Sequence, residues 1–261
     1  MNTVANTVPS AAPTPRVLLV TGGSRGIGAA TALRAAASGW DVAVNYTRDA
    51  AAAEAVVAQV RAAGRRAMAV CADVADEAAV LAMFGRVDAE LGVLCGLVNN
   101  AGVVDVASRV DGMGLARLQR MFNVNVIGSM LCAREAVLRM STRHGGVGGA
   151  IVNLSSAAAR LGAAGQYVDY AAAKGAIDTF TLGLAREVAA EGVRVNGVRP
   201  GIISTDIHAS GGEPDRAARL APLVPMQRAG SADEVAAAIV WLLSLDASYV
   251  TGTTIDVAGG R

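Results

Sequence analysis

Short apolar or β-branched runs alternate with long Ala-rich amphipathic stretches from Arg16 to the end of the chain. The runs predict strands at 16–21 (RVLLVT), 41–46 (DVAVNY), 66–70 (RAMAV), 94–100 (LCGLVNN), 149–155 (GAIVNLS), 193–199 (VRVNGVR) and 253–257 (TTIDV). The stretches between them predict helices near 27–38, 50–63, 76–91, 114–142, 167–190 and 232–244. Apolar strands each followed by ten or more residues of helical period imply βαβ units and a parallel sheet covered on both faces. The expected fold is α/β: one doubly wound, Rossmann-type domain with a mostly parallel seven-stranded sheet. No break in composition divides the chain and no repeat recurs. Residues 1–15 hold three of the seven prolines and no charged side chain, and are expected to be a disordered tail ahead of a domain spanning 16–261. Four prolines between 200 and 225 mark an irregular segment, a candidate lid at about 202–225.

Composition narrows the function. With 53% hydrophobic and 3% aromatic residues, the core must be aliphatic. The net charge of +1, with both signs mixed along the chain, argues against nucleic acid or a membrane surface as partner. No apolar stretch is long enough to span a bilayer, and the N-terminus lacks the pattern of a signal peptide, so a cytoplasmic protein is expected. Cys71, Cys95 and Cys132 have no CxxC spacing and read as small buried hydrophobes, while two histidines are too few for a metal site. No metal is expected.

Two stretches carry chemistry. TGGSRGIG, residues 21–28, joins the first strand to the first helix, and Gly22, Gly26 and Gly28 allow a tight turn and close approach to a pyrophosphate. YAAAK, residues 170–174, puts Tyr170 and Lys174 at i and i+4 on one helical face. Lys174 is the only lysine in a chain that carries 22 arginines. A tyrosine of ordinary pKa, about 10, exchanges protons poorly near neutrality. A neighbouring ammonium and an oxidised nicotinamide ring would favour phenolate, and roughly 3–4 kcal/mol would bring the pKa down to about 7–8.

With NNAG at 99–102, these motifs resemble the short-chain dehydrogenase/reductase family over about residues 16–260, and most closely its 3-oxoacyl-carrier-protein reductases and glucose 1-dehydrogenase-like members. The glycine spacing is G-x-x-x-G-x-G. The resemblance implies catalysis by Asn125, Ser156, Tyr170 and Lys174. Ser156 would polarise the substrate oxygen, with Ser155 a minor candidate, and Asn125 would hold a water in a relay to Lys174. Tyr167 is set aside because only Tyr170 has a lysine four residues on. The cofactor set implied is Gly22, Ser24, Arg25, Gly26, Ile27 and Gly28; Tyr46, Thr47 and Arg48; Asp73 and Val74; Asn99, Ala101 and Gly102; Tyr170 and Lys174; and Pro200, Gly201, Ile203 and Thr205. Asp73 could instead be a strand-end cap. An NAD-preferring site ends its second strand in an acid, where this chain has Tyr46, and Asp49 is better explained as a helix N-cap. Arg25 and Arg48 suit a 2′-phosphate, so NADP(H) is the expected cofactor. The expected activity is reduction of a 3-oxoacyl thioester or similar ketone. Sugar oxidation is second, and a non-catalytic dinucleotide sensor is the rival of another class. The resemblance also implies a homotetramer built on the helices at 114–142 and 167–190, with a second interface near TGTTIDVAGG.

Overall fold

A computed structural model describes residues 16–207 and 211–261; the expected tail, 1–15, lies outside the described residues, as does His208. The elements run β1 (Arg16–Val20), α1 (Gly26–Ala37), β2 (Trp40–Tyr46), α2 (Ala50–Ala62), β3 (Ala67–Cys71), α3 (Glu77–Glu90), β4 (Leu94–Asn99), α4 (Leu115–Phe122), α5 (Gly128–Met140), β5 (Gly149–Leu154), α6 (Ala158–Leu161), α7 (Val168–Val188), β6 (Val193–Pro200), α8 (Arg216–Leu220), α9 (Ala232–Leu243) and β7 (Thr254–Val257). The strands form one sheet in the order β3-β2-β1-β4-β5-β6-β7, and every adjacent pair is parallel. The order reverses between β1 and β4, which opens a crevice beyond their carboxyl ends.

Strand alternation divides the core between two faces. Leu18 and Val20 of β1 pack with Val42, Val44, Val98 and Val152 beneath α1, α2 and α9. Val17 and Leu19 point the other way, into a cluster with Leu97, Ile151 and Val195 that α3, α5 and α7 cover. Sequence dictates the caps as well. Asp49 accepts from Ala52 N at 2.9 Å and starts α2, as its position before the Ala run implies. Ser231 and Glu234 form a reciprocal capping box on α9.

The expected helix at 114–142 is interrupted. Between α4 and α5, residues Asn123–Ile127 form a π turn with Asn125 fully buried in it. Such a turn inserts a residue into the helical ladder and redirects one side chain. The lid segment is partly ordered: Ile203 bridges Gly230, α8 crosses it, and Ala221–Leu223 form a 3-10 turn. Only Cys132 fits the expectation of buried cysteines, and burial pushes its thiol up to about 12. Cys71 is exposed because it is the last residue of β3, and Cys95 is half-buried. No helix among the described residues is long and apolar enough to cross a membrane.

Candidate active site

The β1–α1 turn lies at the reversal point of the sheet. Gly22 and Gly26 have φ of +60° and +55°, which L side chains adopt only with strain. Gly28 is glycine for a different reason: a Cβ there would sit 2.4 Å from the Gly22 carbonyl oxygen. Three polar side chains hold the turn. Asn45 Oδ1 accepts from Gly22 N at 3.1 Å, while Asn100 Nδ2 donates to Thr21 O and Gly22 O at 2.8 and 2.9 Å. Thr21 Oγ1 accepts from the backbone N–H groups of Asn100 and Ala101, each at 3.0 Å. Arg25, at the N-cap of α1, makes no side-chain cap, and the first turn carries no acid. The helix end is therefore left open to an anion.

Past β2, Tyr46 is half-buried and Thr47 and Arg48 are exposed. Neither the Arg25 nor the Arg48 side chain has a hydrogen-bond or ion-pair partner among the described residues, in a chain where most arginines are paired. Asp73 is exposed and its Oδ1 accepts from Ala75 N at 3.0 Å, the strand-end cap foreseen as its alternative. The Val74 side chain is buried against Gly128 of α5, not at the crevice. Asn99 also departs from expectation. Its Nδ2 donates to Ser129 O and Asn153 Oδ1 inside the sheet, so strand alternation turns its side chain away from the cofactor face. Asn100, one residue on, lines the cavity instead.

A cavity of about 210 Å³ runs from this crevice toward the lid. Ile27 and Gly102 line one side, Ser156, Tyr170 and Lys174 the middle, and Pro200, Gly201, Ile203 and Thr205 the other side. Val104, Leu161, Ile202 and Ile207 make its far end apolar, with Tyr167 and Arg216 at the lid. Ser24 and Ala101 are half-buried near the turn but are not among the cavity's lining residues.

The middle of the cavity sorts the two serines. Ser156 lines the cavity with Tyr170 and acts to lower the phenol's pKa, and its Oγ accepts from Ala158 N at 3.1 Å. Ser155 is buried and donates to Lys174 O at 3.1 Å, which ties α7 to β5. Tyr167 donates to Glu213 Oε1 at 3.0 Å and belongs to the lid. Lys174 is 4% exposed, donates to Leu154 O at 2.7 Å, and lies 5.6 Å from the Tyr170 ring centre.

The surroundings of Tyr170 and Asn125 add what the sequence does not show. Burial pushes the Tyr170 phenol up to about 12, and the hydrogen bond from Ser156 only partly opposes it. Burial likewise lowers the neighbouring Lys174 ammonium, to about 8. The Asn125 amide is held on both sides. Its Oδ1 accepts from Val103 N at 3.2 Å, and its Nδ2 donates to Val103 O at 3.0 Å and Met121 O at 2.9 Å. It clamps the chain after Gly102, where a Cβ would meet both Asn125 Oδ1 and Lys174 Nζ.

One further clamp escaped the sequence reading. Arg117 of α4 grips Asp169, beside Tyr170, through Nε at 2.7 Å and Nη2 at 3.2 Å. Its Nη1 also holds Val106 O at 2.7 Å. An acid directly before the tyrosine, with an arginine on the preceding helix, was the available signal.

A glycine turn at the reversal point of a parallel sheet, with a buried Ser–Tyr–Lys group beside it, defines a dinucleotide-fold oxidoreductase. Comparison with known proteins agrees. Residues 22–261 match the family model described as enoyl-(acyl carrier protein) reductase. The uncharacterized oxidoreductase YgfF of Escherichia coli is 56% identical over 245 residues, covering 94% of this chain and 99% of that protein. A 3-oxoacyl-[acyl-carrier-protein] reductase of Synechocystis is 40% identical over 255 residues, covering 95% and 97%. A short-chain dehydrogenase from Burkholderia cenocepacia, solved in complex with NADP, superposes with a TM-score of 0.85 at 39% identity, covering 94% and 97%. The chain belongs to the short-chain dehydrogenase/reductase family.

Proposed function

We propose that this protein is an NADP(H)-dependent reductase of ketones, with 3-oxoacyl thioesters or similar carbonyl compounds as its leading substrate class. The observation that carries this reading is the gathering of Ser156, Tyr170 and the sole lysine, Lys174, on one cavity wall, with the ammonium buried 5.6 Å from the Tyr170 ring centre.

The residues present suit the cofactor. The glycine turn and uncapped start of α1 would take its pyrophosphate, and Arg25 and Arg48 its 2′-phosphate. Thr205 and the Pro200–Gly201 turn would face the nicotinamide end. Bound there, the nicotinamide supplies the hydride, which no side chain in the cavity can. Ser156 and Tyr170 hold the substrate's carbonyl oxygen. The raised phenol keeps its proton until negative charge develops on that oxygen, then donates it. Lys174 binds the ribose and restores charge balance behind the phenol. Asn125 and the Arg117–Asp169 pair fix the geometry.

The apolar far end favours an acyl chain over a sugar, whose hydroxyls would need partners that Val104, Leu161, Ile202 and Ile207 lack. Exposed Leu115, Phe122, Ile127, Met130 and Leu138 on the α4–α5 arm, with Leu182 on α7, support assembly as a homotetramer. Three free cysteines are in keeping with a cytoplasmic setting.

A panel of 3-oxoacyl thioesters, cyclic ketones and hexoses, each assayed by NADPH oxidation or NADP reduction, tests the reading. Turnover should be fastest with a 3-oxoacyl thioester. Tight NADPH binding with no turnover on any substrate would favour a sensor instead.

A further inference from the structure

Tyr170, Lys174 and Asp178 form an i, i+4, i+8 row on one side of α7. The last of these has no part in the chemistry above, yet the fold holds it from across the sheet. Arg199 of β6 donates from Nε to Asp178 Oδ2 at 2.9 Å, and its Nη1 lies 3.4 Å from Asp256 Oδ1 of β7. Asp256 in turn pairs with Arg160 of α6. Charges therefore alternate inward from solvent: Arg160, Asp256, Arg199, Asp178, Lys174. The Asp178 and Arg199 side chains are each 18% exposed, and Asp178 Oδ1 is buried with no hydrogen-bond partner among the described residues. A carboxylate oxygen shut away without a donor is costly to keep. It is one helical turn from Lys174, whose ammonium makes its only hydrogen bond among the described residues to a backbone carbonyl.

We propose that Asp178, clamped by Arg199, is a positioning residue that holds the Lys174 side chain in its charged form.

Around the ammonium, α7 contributes Tyr170 one turn before and Asp178 one turn after, and the end of β5 contributes the Leu154 carbonyl, with Ser155 and Ser156 lining the same cavity. Gly102 and the Asn125 amide face it from beyond β4 and from the π turn. Arg199 stands behind Asp178 on β6, and Asp256 behind Arg199 on β7. Asp178 is the one acidic side chain among these neighbours on α7, β5, β4 and the π turn. Burial pulls Lys174 down to about 8, and Asp178 is the group that opposes this. Without it the amine would lose its proton within the working range, and with it the cation that the ribose and the phenol need.

The inference rests on the reading of Lys174 as a site residue, but its test does not depend on turnover. Selective 13C-lysine labelling of the full chain yields a single lysine side-chain signal, because Lys174 is the only lysine. The pH midpoint of its Cε shift reports the ammonium directly. Asp178→Asn should lower that midpoint by about one pH unit. Arg199→Gln, which leaves the carboxylate and removes its counter-charge, should raise it by several tenths. A merely structural role predicts no such opposite signs. A midpoint that stays put in either folded variant, or moves the same way in both, would overturn the proposal. NADPH oxidation by the wild-type chain tests the reductase reading separately.

Discussion

Gly28→Ala probes the close packing beneath the cofactor turn. The added Cβ would lie 2.4 Å from Gly22 O, 2.6 Å from Asn100 Nδ2 and 3.0 Å from Gly23 Cα. Ordinary contacts of this kind are about 3.5–4 Å, so the backbone or Asn100 must retreat by roughly 1 Å. Neither is free to do so. Gly22 N is held by Asn45 Oδ1, Gly23 N donates to Asn45 O at 2.8 Å, and Asn100 grips the turn at Thr21 and Gly22. Overpacking of this kind costs about 1–3 kcal/mol, and loss of the Asn100–Gly22 hydrogen bond adds about 1 kcal/mol. A total of about 2–4 kcal/mol corresponds to a fall in Tm of roughly 5–15 °C for a domain of this size. Thermal unfolding, followed by NADPH fluorescence titration at a temperature where the variant is folded, reads both consequences. The variant should melt earlier and bind NADPH at least tenfold more weakly. An unchanged Tm would refute the packing account, and an unchanged affinity would refute the assignment of the turn to the cofactor.

Two other perturbations address charge. Arg25→Ala and Arg48→Ala should each reduce the preference for NADPH over NADH in kcat/KM, together by at least tenfold, with stability unmoved because neither side chain has a partner to lose. Lys174→Met should change the pH dependence of stability. The folded chain gives up the Lys174 proton near 8, whereas an unfolded lysine keeps it to about 10.5. Between those values the unfolded state binds more protons, so this site makes stability rise with pH. Denaturant melts of wild type and variant at pH 7.5 and 9.5 should show the wild type gaining on the variant by roughly 1–3 kcal/mol; no relative gain would contradict the burial effect.

The strands were legible because two faces of aliphatic burial leave apolar runs with turns between them; each predicted strand end lies within one residue of the observed one. Element order and the glycine turn then located the crevice. What stayed hidden depended on contacts distant in sequence. No local pattern in FNVNVIG announces a π turn, because the turn exists to aim Asn125 at Val103, 22 residues earlier. Asn99 and Asn100 are indistinguishable as letters. Strand alternation gives the first to Asn153 and the second to the glycine turn. The resemblance favoured Ser156 over Ser155, and the structure adds the reason: Ser155 is spent on Lys174 O while Ser156 stands on the cavity wall with Tyr170. The burial of Tyr170 was hidden for the same reason: a sequence names its charged neighbour but not how much water the fold removes.

The central claim is that Tyr170 donates the proton while other residues bind the cofactor, and Tyr170→Phe separates those roles. NADPH titration and steady-state reduction of the best ketone from the panel, on one preparation, give both numbers. The account predicts NADPH affinity within about threefold of wild type and turnover lower by about 10²–10⁴-fold. Turnover above a tenth of wild type, with NADPH still bound, would contradict it.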